Sequence, residues 1–358
     1  MTPLTIRSVT ARAVDVPLAR PIRTALGTIP SAPLVLIDVA TDQDVIGRAY
    51  IFAYTPVALA PLARLIGEIG ALIAKRLVAP FERQAELDRR FRLVGWQGMI
   101  GMAVSGLDMA LWDALGRAAG LPVAALLGGA PRPLAAYDSF GVVDLATDEA
   151  AITASVASGF RAIKIKIGDG DLARDIAAVS AVRRMIGPDV ALMVDYNQSL
   201  DPPEALRRIA RLAQFDLTWV EEPVAADDLH GHAQVRATSP IRIQTGENWW
   251  FPRGMRNSVA AGASDFAMLD VMKIGGVTGW MQAAGEAQAA SLPVSSHAFI
   301  EASAHVLAVT PGAHFLEHLP KADAILTEPL KPVKGTIAPR GPGLGMEWDE
   351  KAVARYAV

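Results

Sequence analysis

From about residue 135 the chain repeats one unit, a short apolar run followed by a helix-like segment, at intervals of roughly 20 to 30 residues. The runs are AAYDSFG, AIKIKIG, VALMVDYNQ, LTWVEEP, IRIQTGEN, DFAMLDV, PVSSHAF and HFLEHL, eight in all. Strands that alternate with helices pair in parallel and need cover on both faces. Eight such units within about 185 residues predict a (β/α)8 barrel, or one close to it, ending near Pro320. No other feature of the sequence narrows the fold as far.

The residues before the repeat read differently. TIRSVTARAVDVPL alternates as a strand does, and LVLIDVATDQDVIGRAYIF reads as a hairpin turning at Thr41 to Asp44. Helical patterns follow at about 55–77, 81–94 and 99–119, the last closed by Gly120 with Pro122 beyond it. The chain therefore divides into an α+β region over 1–125, a barrel over 126–320, and a Pro- and Gly-containing tail over 321–358 that is expected to pack back on the first region.

Hydrophobic residues make up 51% of the chain and charged ones 20%, and the net charge of −3 provides neither an acidic tail nor a basic nucleic-acid surface. The N-terminus lacks a basic segment followed by an apolar one, and the most apolar stretch, 56–78, is broken by Arg64 and Glu68. Neither a signal peptide nor a membrane span is expected, no nucleic-acid partner is implied, and the cytoplasm is the default location. With no cysteine, the chain has no disulfide, thiolate metal site or cysteine nucleophile. Gly341, Gly343 and Gly345 lie in a Pro-containing tail and read as a turn, not a nucleotide fingerprint. His230 and His232 flank Gly231 without a third ligand nearby and read as a solvated loop.

The polar residues that break the repeat fall at strand ends, where barrels of this kind collect their chemistry. In chain order they are Ser139, Lys164 with Lys166, Asp195 with Asn197, Glu221 with Glu222, Glu247 with Asn248, Asp270, His297 and Glu317. Asp195, Glu221 and Glu247 end three consecutive strands. Like charges brought together raise one another's pKa unless a cation lies between them, and an all-carboxylate oxygen set suits a hard ion such as Mg²⁺. Glu222 alternates to the other face and reads as a supporting partner. Asp270 and His297 end neighbouring strands, where the carboxylate would fix the ring tautomer and raise the basicity of the other nitrogen. In FRAIKIKIG, the isoleucines take one face and Lys164 and Lys166 the other. In a closed barrel that second face is interior, where Lys164 would lower the pKa of Lys166 and fit it to act as a base. Lys164 and a protonated Glu317 would stabilise charge developing on a substrate carboxylate. Bases on two sides are the layout for inverting a stereocentre.

RAVDVPL, APLVLID, FAYTPVAL, VDYNQSLD, GENW, MKIGGVTGW and SSH together resemble the enolase superfamily and, within it, the mandelate racemase/muconate lactonizing enzyme family, almost from end to end. The resemblance implies an α/β fold: a modified TIM barrel of (β/α)7β type beneath an α+β capping domain. It implies Mg²⁺ on Asp195, Glu221 and Glu247, with Mn²⁺ as the alternative ion. Lys166 would be the base for the S enantiomer and His297, oriented by Asp270, that for the R enantiomer. Lys164 and Glu317 would hold the substrate carboxylate, with Glu317 as the electrophilic acid, Asn197 near the α-hydroxyl and Ser139 near the carboxylate. Muconate-lactonising relatives carry a second Lys where this chain has Asp270, which places it on the racemase side. The departures are in the pocket: Phe140 stands where the family pattern has His, and Ala298 where it has Leu. The segment from Ile22 to Ile29 would form an apolar lid in which Arg23 is the one charged side chain, with Phe52 and Tyr54 retained beside it. The activity implied is racemisation, through an enediolate, of mandelate or a similar apolar or aryl 2-hydroxy acid, by a homo-oligomer such as the octamers that relatives form. An acid-sugar dehydratase or cycloisomerase is the alternative within the family, and a catalytically silent barrel that binds a metal or an acidic ligand is the alternative outside it.

Overall fold

A computed structural model of the chain describes residues 3–24 and 27–358. Three antiparallel strands come first, β1 (Ile6–Thr24), β2 (Gly27–Thr41) and β3 (Ile46–Phe52), with β2 central. The expected turn at Thr41–Asp44 joins β2 to β3. The segment expected to form the lid is not a loop. Past a register break between Pro17 and Ile22, β1 continues, and Ile22 pairs with Ile29, so the lid is the projecting end of the β1–β2 ribbon. Ala25 and Leu26 of this segment lie outside the described residues.

Three helices cover the sheet, α1 (Leu59–Ile73), α2 (Pro80–Phe91) and α3 (Met99–Ala119), the last stopped by Gly120 at φ +66°. Among the described residues α1, with the turn before it, is the one helical segment long and apolar enough to cross a membrane. It behaves as a core helix: Leu62, Ile66, Ile69 and Ile73 are buried, while Arg64 and Glu68 pair on the outer face. Helix α3 is buried almost all round, as a helix between two layers must be. Its Asp108 accepts from the Thr278 backbone N–H at 2.9 Å and from Thr278 Oγ1 at 2.5 Å, which fastens the sheet region to the barrel.

The barrel strands are β4 (Leu134–Val142), β5 (Ala162–Lys166), β6 (Ala191–Asp195), β7 (Leu217–Glu221), β8 (Ile243–Thr245), β9 (Phe266–Asp270), β10 (Val294–His297) and β11 (Leu316–His318). All pair in parallel in the order β10-β9-β8-β7-β6-β5-β4-β11. The ends of this ladder meet where Val294 bridges to Ala313 and the Ser296 N–H donates to the Phe315 carbonyl at 3.0 Å. Seven of the strands are followed by a helix of nine or more residues, but β11 only by a short 3-10 turn, Asp323–Ile325, giving (β/α)7β. Asp144, Asp171, Asp201 and Asp228 each accept a first-turn backbone N–H and so set where four of these helices begin. Tyr137, Met193, Trp219, Phe266 and Met268 fill the barrel below its mouth, with the Tyr137 and Trp219 rings 5.7 Å apart. A plugged barrel leaves only the C-terminal rim of its strands for a site.

The tail returns to the sheet region. Glu347 pairs with Arg48 at 2.6 Å and Arg117 at 2.5 Å, and the Trp348 indole donates to Asp38 at 2.8 Å. Gly343 is in the turn expected of its segment, at φ +67°, and a Cβ there would lie 2.1 Å from Asp113 Oδ1. His230 and His232 are not on a loop: they lie in the helix Leu229–Thr238, where His232 is buried and its Nδ1 is 3.1 Å from the Asp228 carbonyl oxygen.

Asp113, fully buried, accepts from the Arg48 N–H at 2.7 Å, the Leu344 N–H at 2.6 Å and Arg117 Nε at 2.5 Å, tying sheet, helix and tail together. Asp113→Ala would strand two amides and a guanidinium. We expect a loss of about 3 kcal/mol or more, read as a lower urea midpoint; a loss below about 1 kcal/mol would show that the junction is not held by this carboxylate.

Candidate active site

Pleating of β5 settles where its lysines point. Ile163 and Ile165 are buried in the core that the outer helices share, and the lysines stand on the opposite face, inside the barrel. Lys164, 1% exposed, has its Nζ 2.7 Å from Glu221 Oε1 and 2.9 Å from Glu317 Oε1. Lys166, one pleat nearer the rim, donates to Asp195 Oδ2 at 2.5 Å.

Asp195 and Glu221 end β6 and β7, and Glu247 lies two residues past β8. All three are buried, and each offers an oxygen within 4.8 Å of the others. Burial chiefly, with repulsion from Asp195 and Glu247, pushes the Glu221 carboxyl up to about 8 despite Lys164. Burial acts upward on Glu247 too, but His297, Lys166, Lys273 and Lys164 outweigh it and hold that group below its ordinary value. Crowded carboxylates with no nitrogen or sulfur donor among them form a cradle for a hard divalent cation. Asp195 is oriented from behind by Asn197, whose backbone N–H and Nδ2 donate to its two oxygens at 2.7 and 2.9 Å. Glu221 Oε2 accepts the Trp219 indole N–H at 3.1 Å.

Across the mouth, His297 ends β10 and its Nδ1 is 2.6 Å from Asp270 Oδ2. The other oxygen of Asp270 accepts the Met272 and Lys273 amides at 2.7 and 3.1 Å, so the carboxylate is fixed before it fixes the ring. With Nδ1–H donated to Asp270, Nε2 is the basic nitrogen. It points into the site, 3.5 Å from Glu247 Oε2 and 3.9 Å from Glu317 Oε2.

Two pKa shifts run in the direction opposite to the sequence-based expectation. Burial and Lys164 both lower the Lys166 pKa, as expected of a base, yet Asp195 together with Glu247 and Glu221 outweighs them and the net shift is upward. Burial favours a neutral Glu317, but Lys164, His297 and the Ala298 N–H, which donates at 2.8 Å, overcome it and hold the group well below the usual carboxylate range. Both differences arise from neighbours on other strands, which linear sequence does not pair.

Of the remaining residues singled out in the sequence, Ser139 is buried on β4 in register with Lys164, and Phe140 is buried beneath the Arg20 guanidinium, 3.8 Å from its ring centre. Ala298 is buried at φ +50°, Ile22 is buried, Ile29 is half-buried, and Tyr54 is 40% exposed with its ring 4.7 Å from that of Phe52. The ribbon is pressed onto β4 so closely that a Cβ at Gly141 would lie 2.5 Å from the Arg23 amide nitrogen. Arg23 itself donates to the Val142 carbonyl at 2.9 Å and pairs with Asp148. A cavity of about 490 Å³ opens between ribbon and barrel, with Thr28, Val142, Asp169 and Lys166 in its wall.

Lys273, three residues after Asp270, is a residue of the mouth that the sequence did not single out for the site. In the structure it is buried, donates to Asn248 Oδ1 at 2.5 Å and lies 4.8 Å from the Tyr54 ring centre, while Asn248 Nδ2 donates to Glu222 Oε2 at 2.7 Å. A lysine three residues after a strand-end aspartate, in MKIGG, was the available signal.

Comparison with known proteins places this arrangement. The family described as "Mandelate racemase / muconate lactonizing enzyme, N-terminal domain" matches residues 6–128, and that described as "Enolase C-terminal domain-like" matches residues 147–352. An enolase from Bradyrhizobium, whose crystal structure is complexed with magnesium and mandelic acid, superposes with a TM-score of 0.98 at 60% identity, covering 100% of this chain and 99% of that one. The 3,6-anhydro-alpha-L-galactonate cycloisomerase of Streptomyces coelicolor is 36% identical over 75% of this chain and 76% of its own length. The L-talarate/galactarate dehydratase of Salmonella typhimurium is 34% identical over 72% of this chain and 66% of its own.

A divalent cation held by the three carboxylates should stabilise the fold by about 2.7 kcal/mol at a hundredfold excess over its dissociation constant. We expect Mg²⁺ titration to raise the unfolding temperature of the native chain and not that of Glu221→Gln. Equal shifts in both would remove the cation from this cradle.

Proposed function

Because the chain belongs to the mandelate racemase/muconate lactonizing enzyme family of the enolase superfamily, we propose that it is a Mg²⁺-dependent racemase of a 2-hydroxy carboxylate with an apolar, aryl or alkyl, substituent. At the coarser level common to its relatives, it is an enzyme that removes the proton next to a carboxylate and passes through an enolate. The observation that carries the finer reading is the presence of two bases on opposite walls, Lys166 on the second barrel strand and His297 with Asp270 on the seventh and sixth.

Asp195, Glu221 and Glu247 would hold Mg²⁺, which when bound supplies a Lewis acid for the substrate carboxylate. Lys164 adds a buried positive charge to the same carboxylate. Glu317, 2.9 Å from Lys164, faces the group that gains charge as the proton leaves, and a proton on Glu317 would be donated there. Ser139, level with Lys164, adjoins the carboxylate, and Asn197 adjoins the α-hydroxyl. With the Asp195 charge that raises its pKa engaged by a cation, Lys166 would take the proton from one face, or return it; His297 Nε2 would do the same at the other, with Asp270 stabilising the imidazolium that forms.

The lid supports an apolar substituent: Ile22 and Ile29 face each other across the ribbon, and the Arg23 charge is engaged by Asp148 and Val142. The magnesium and mandelic acid in the Bradyrhizobium structure agree with that choice. The dehydratase and the cycloisomerase use substrates with several hydroxyls and represent the competing outcome.

Proton NMR in D2O with Mg²⁺ tests the proposal. Loss of the α-proton signal from both mandelate enantiomers, abolished by chelation and without change of carbon skeleton, is the expected result. No exchange from mandelate, together with a keto-deoxy product from a sugar acid, would replace the racemase by a dehydratase.

A further inference from the structure

Lys321 is unlike the other buried lysines of the mouth. Lys164 is paired with Glu221 and Glu317, Lys166 with Asp195, and Lys273 with Asn248. Lys321 is 6% exposed, yet among the described residues its side chain makes no hydrogen bond or ion pair. It stands four residues beyond Glu317, just past the end of β11. Its Nζ lies 4.4 Å from the ring centre of Phe52 and 5.9 Å from that of Phe299. Phe52 ends β3 beside Tyr54, and Phe299 follows His297 by two residues, so the amine is held where the sheet region meets the catalytic rim. Glu317, Asp270, Glu247 and Lys166 are near enough for their charges to act on it, while burial drives its pKa down.

A lysine that is merely structural in a soluble protein lays its stem on apolar surface and keeps its head in water. Here nearly the whole residue is covered, and its amine lies against two aromatic faces that recover part of the lost hydration. Such a group has no acceptor among the described residues and can take one from a substrate. Lys164 and Glu317 are assigned above to the α-carboxylate, and Phe52 belongs to the same sheet as the ribbon assigned above to the α-substituent.

We propose that Lys321 determines specificity by donating to an oxygen at the far end of the substrate's α-substituent, so that the preferred substrate is a 2-hydroxy acid whose apolar ring or chain ends in a hydroxyl or carboxylate. This rests on the racemase reading above and narrows its substrate class. The amine keeps N–H donors whether protonated or neutral, so either state recognises the acceptor.

The test is the ratio of kcat/KM for α-proton exchange from 4-carboxymandelate and 4-hydroxymandelate to that from mandelate. We expect the native enzyme to favour at least one substituted acid by about tenfold or more, chiefly through KM. Lys321→Met should lose that preference and Lys321→Arg should keep much of it. A ratio that is the same in the native enzyme and Lys321→Met overturns the assignment. A second measurement needs no turnover: calorimetric binding of 4-carboxyphenylacetate and phenylacetate to the Mg²⁺-loaded protein. Tighter binding of the diacid, lost in Lys321→Met, supports Lys321 even if no acid exchanges, in which case only the racemase reading fails. Equal binding of the two acids by the native protein counts against Lys321 alone.

Discussion

Like charges held together inside a low-dielectric mouth are the constraint on which the rest of this structure depends. Asp195, Glu221 and Glu247 bring three carboxylates within 4.8 Å of one another, and Lys164 and Lys166 stand against them at 2.5 to 2.7 Å. In water such a cluster would disperse; here the backbone prevents it, because each group is fixed at the rim of a strand already paired on both sides. Parallel pairing of β5, β6 and β7 therefore does more than build a barrel. It forces a charge distribution that a divalent cation completes, and the pleat of β5 delivers the opposing ammonium groups to it.

The sheet region supplies what a barrel rim lacks, namely a roof. Helix α3 is fastened to the barrel through Asp108 and Thr278, and to the tail through Asp113 and Leu344, so that the ribbon carrying Ile22 and Ile29 projects from a rigid base. Chemistry and selectivity are thus carried by different parts of the chain. In the proposed reaction the rim would hold the groups that move protons, and the ribbon, Phe52, Tyr54 and the segment after β11 would shape what the rest of the substrate can be. Relatives as different as a cycloisomerase and a dehydratase are consistent with that separation.

Much of this was legible in the sequence because strand ends announce themselves. An apolar run that stops at Asp195, Glu221, Asp270 or His297 marks both the end of a strand and a polar rim, and Gly120 and the capping aspartates mark helix ends just as directly. What was not legible depends on neighbours distant in sequence. The net upward shift of Lys166 comes from Asp195, 29 residues on, with Glu221 and Glu247 beyond it, and the lowered pKa of Glu317 from Lys164 and His297. The strand character of the lid was not legible because Pro21 and Pro30 obscure a pattern that pairing across the ribbon restores. His232 read as solvated because nothing in its local sequence shows the helix that buries it. Lys321 read as the first residue of a tail, since its aromatic partners lie on β3 and beyond β10.

The central claim is that two bases work from opposite faces of one substrate, and the variant that separates them is His297→Asn. With Mg²⁺ bound and the fold intact by circular dichroism, this account expects the α-proton of the S enantiomer to exchange with D2O through Lys166, while that of the R enantiomer does not. Loss of exchange from both enantiomers, or exchange from R alone, would contradict it.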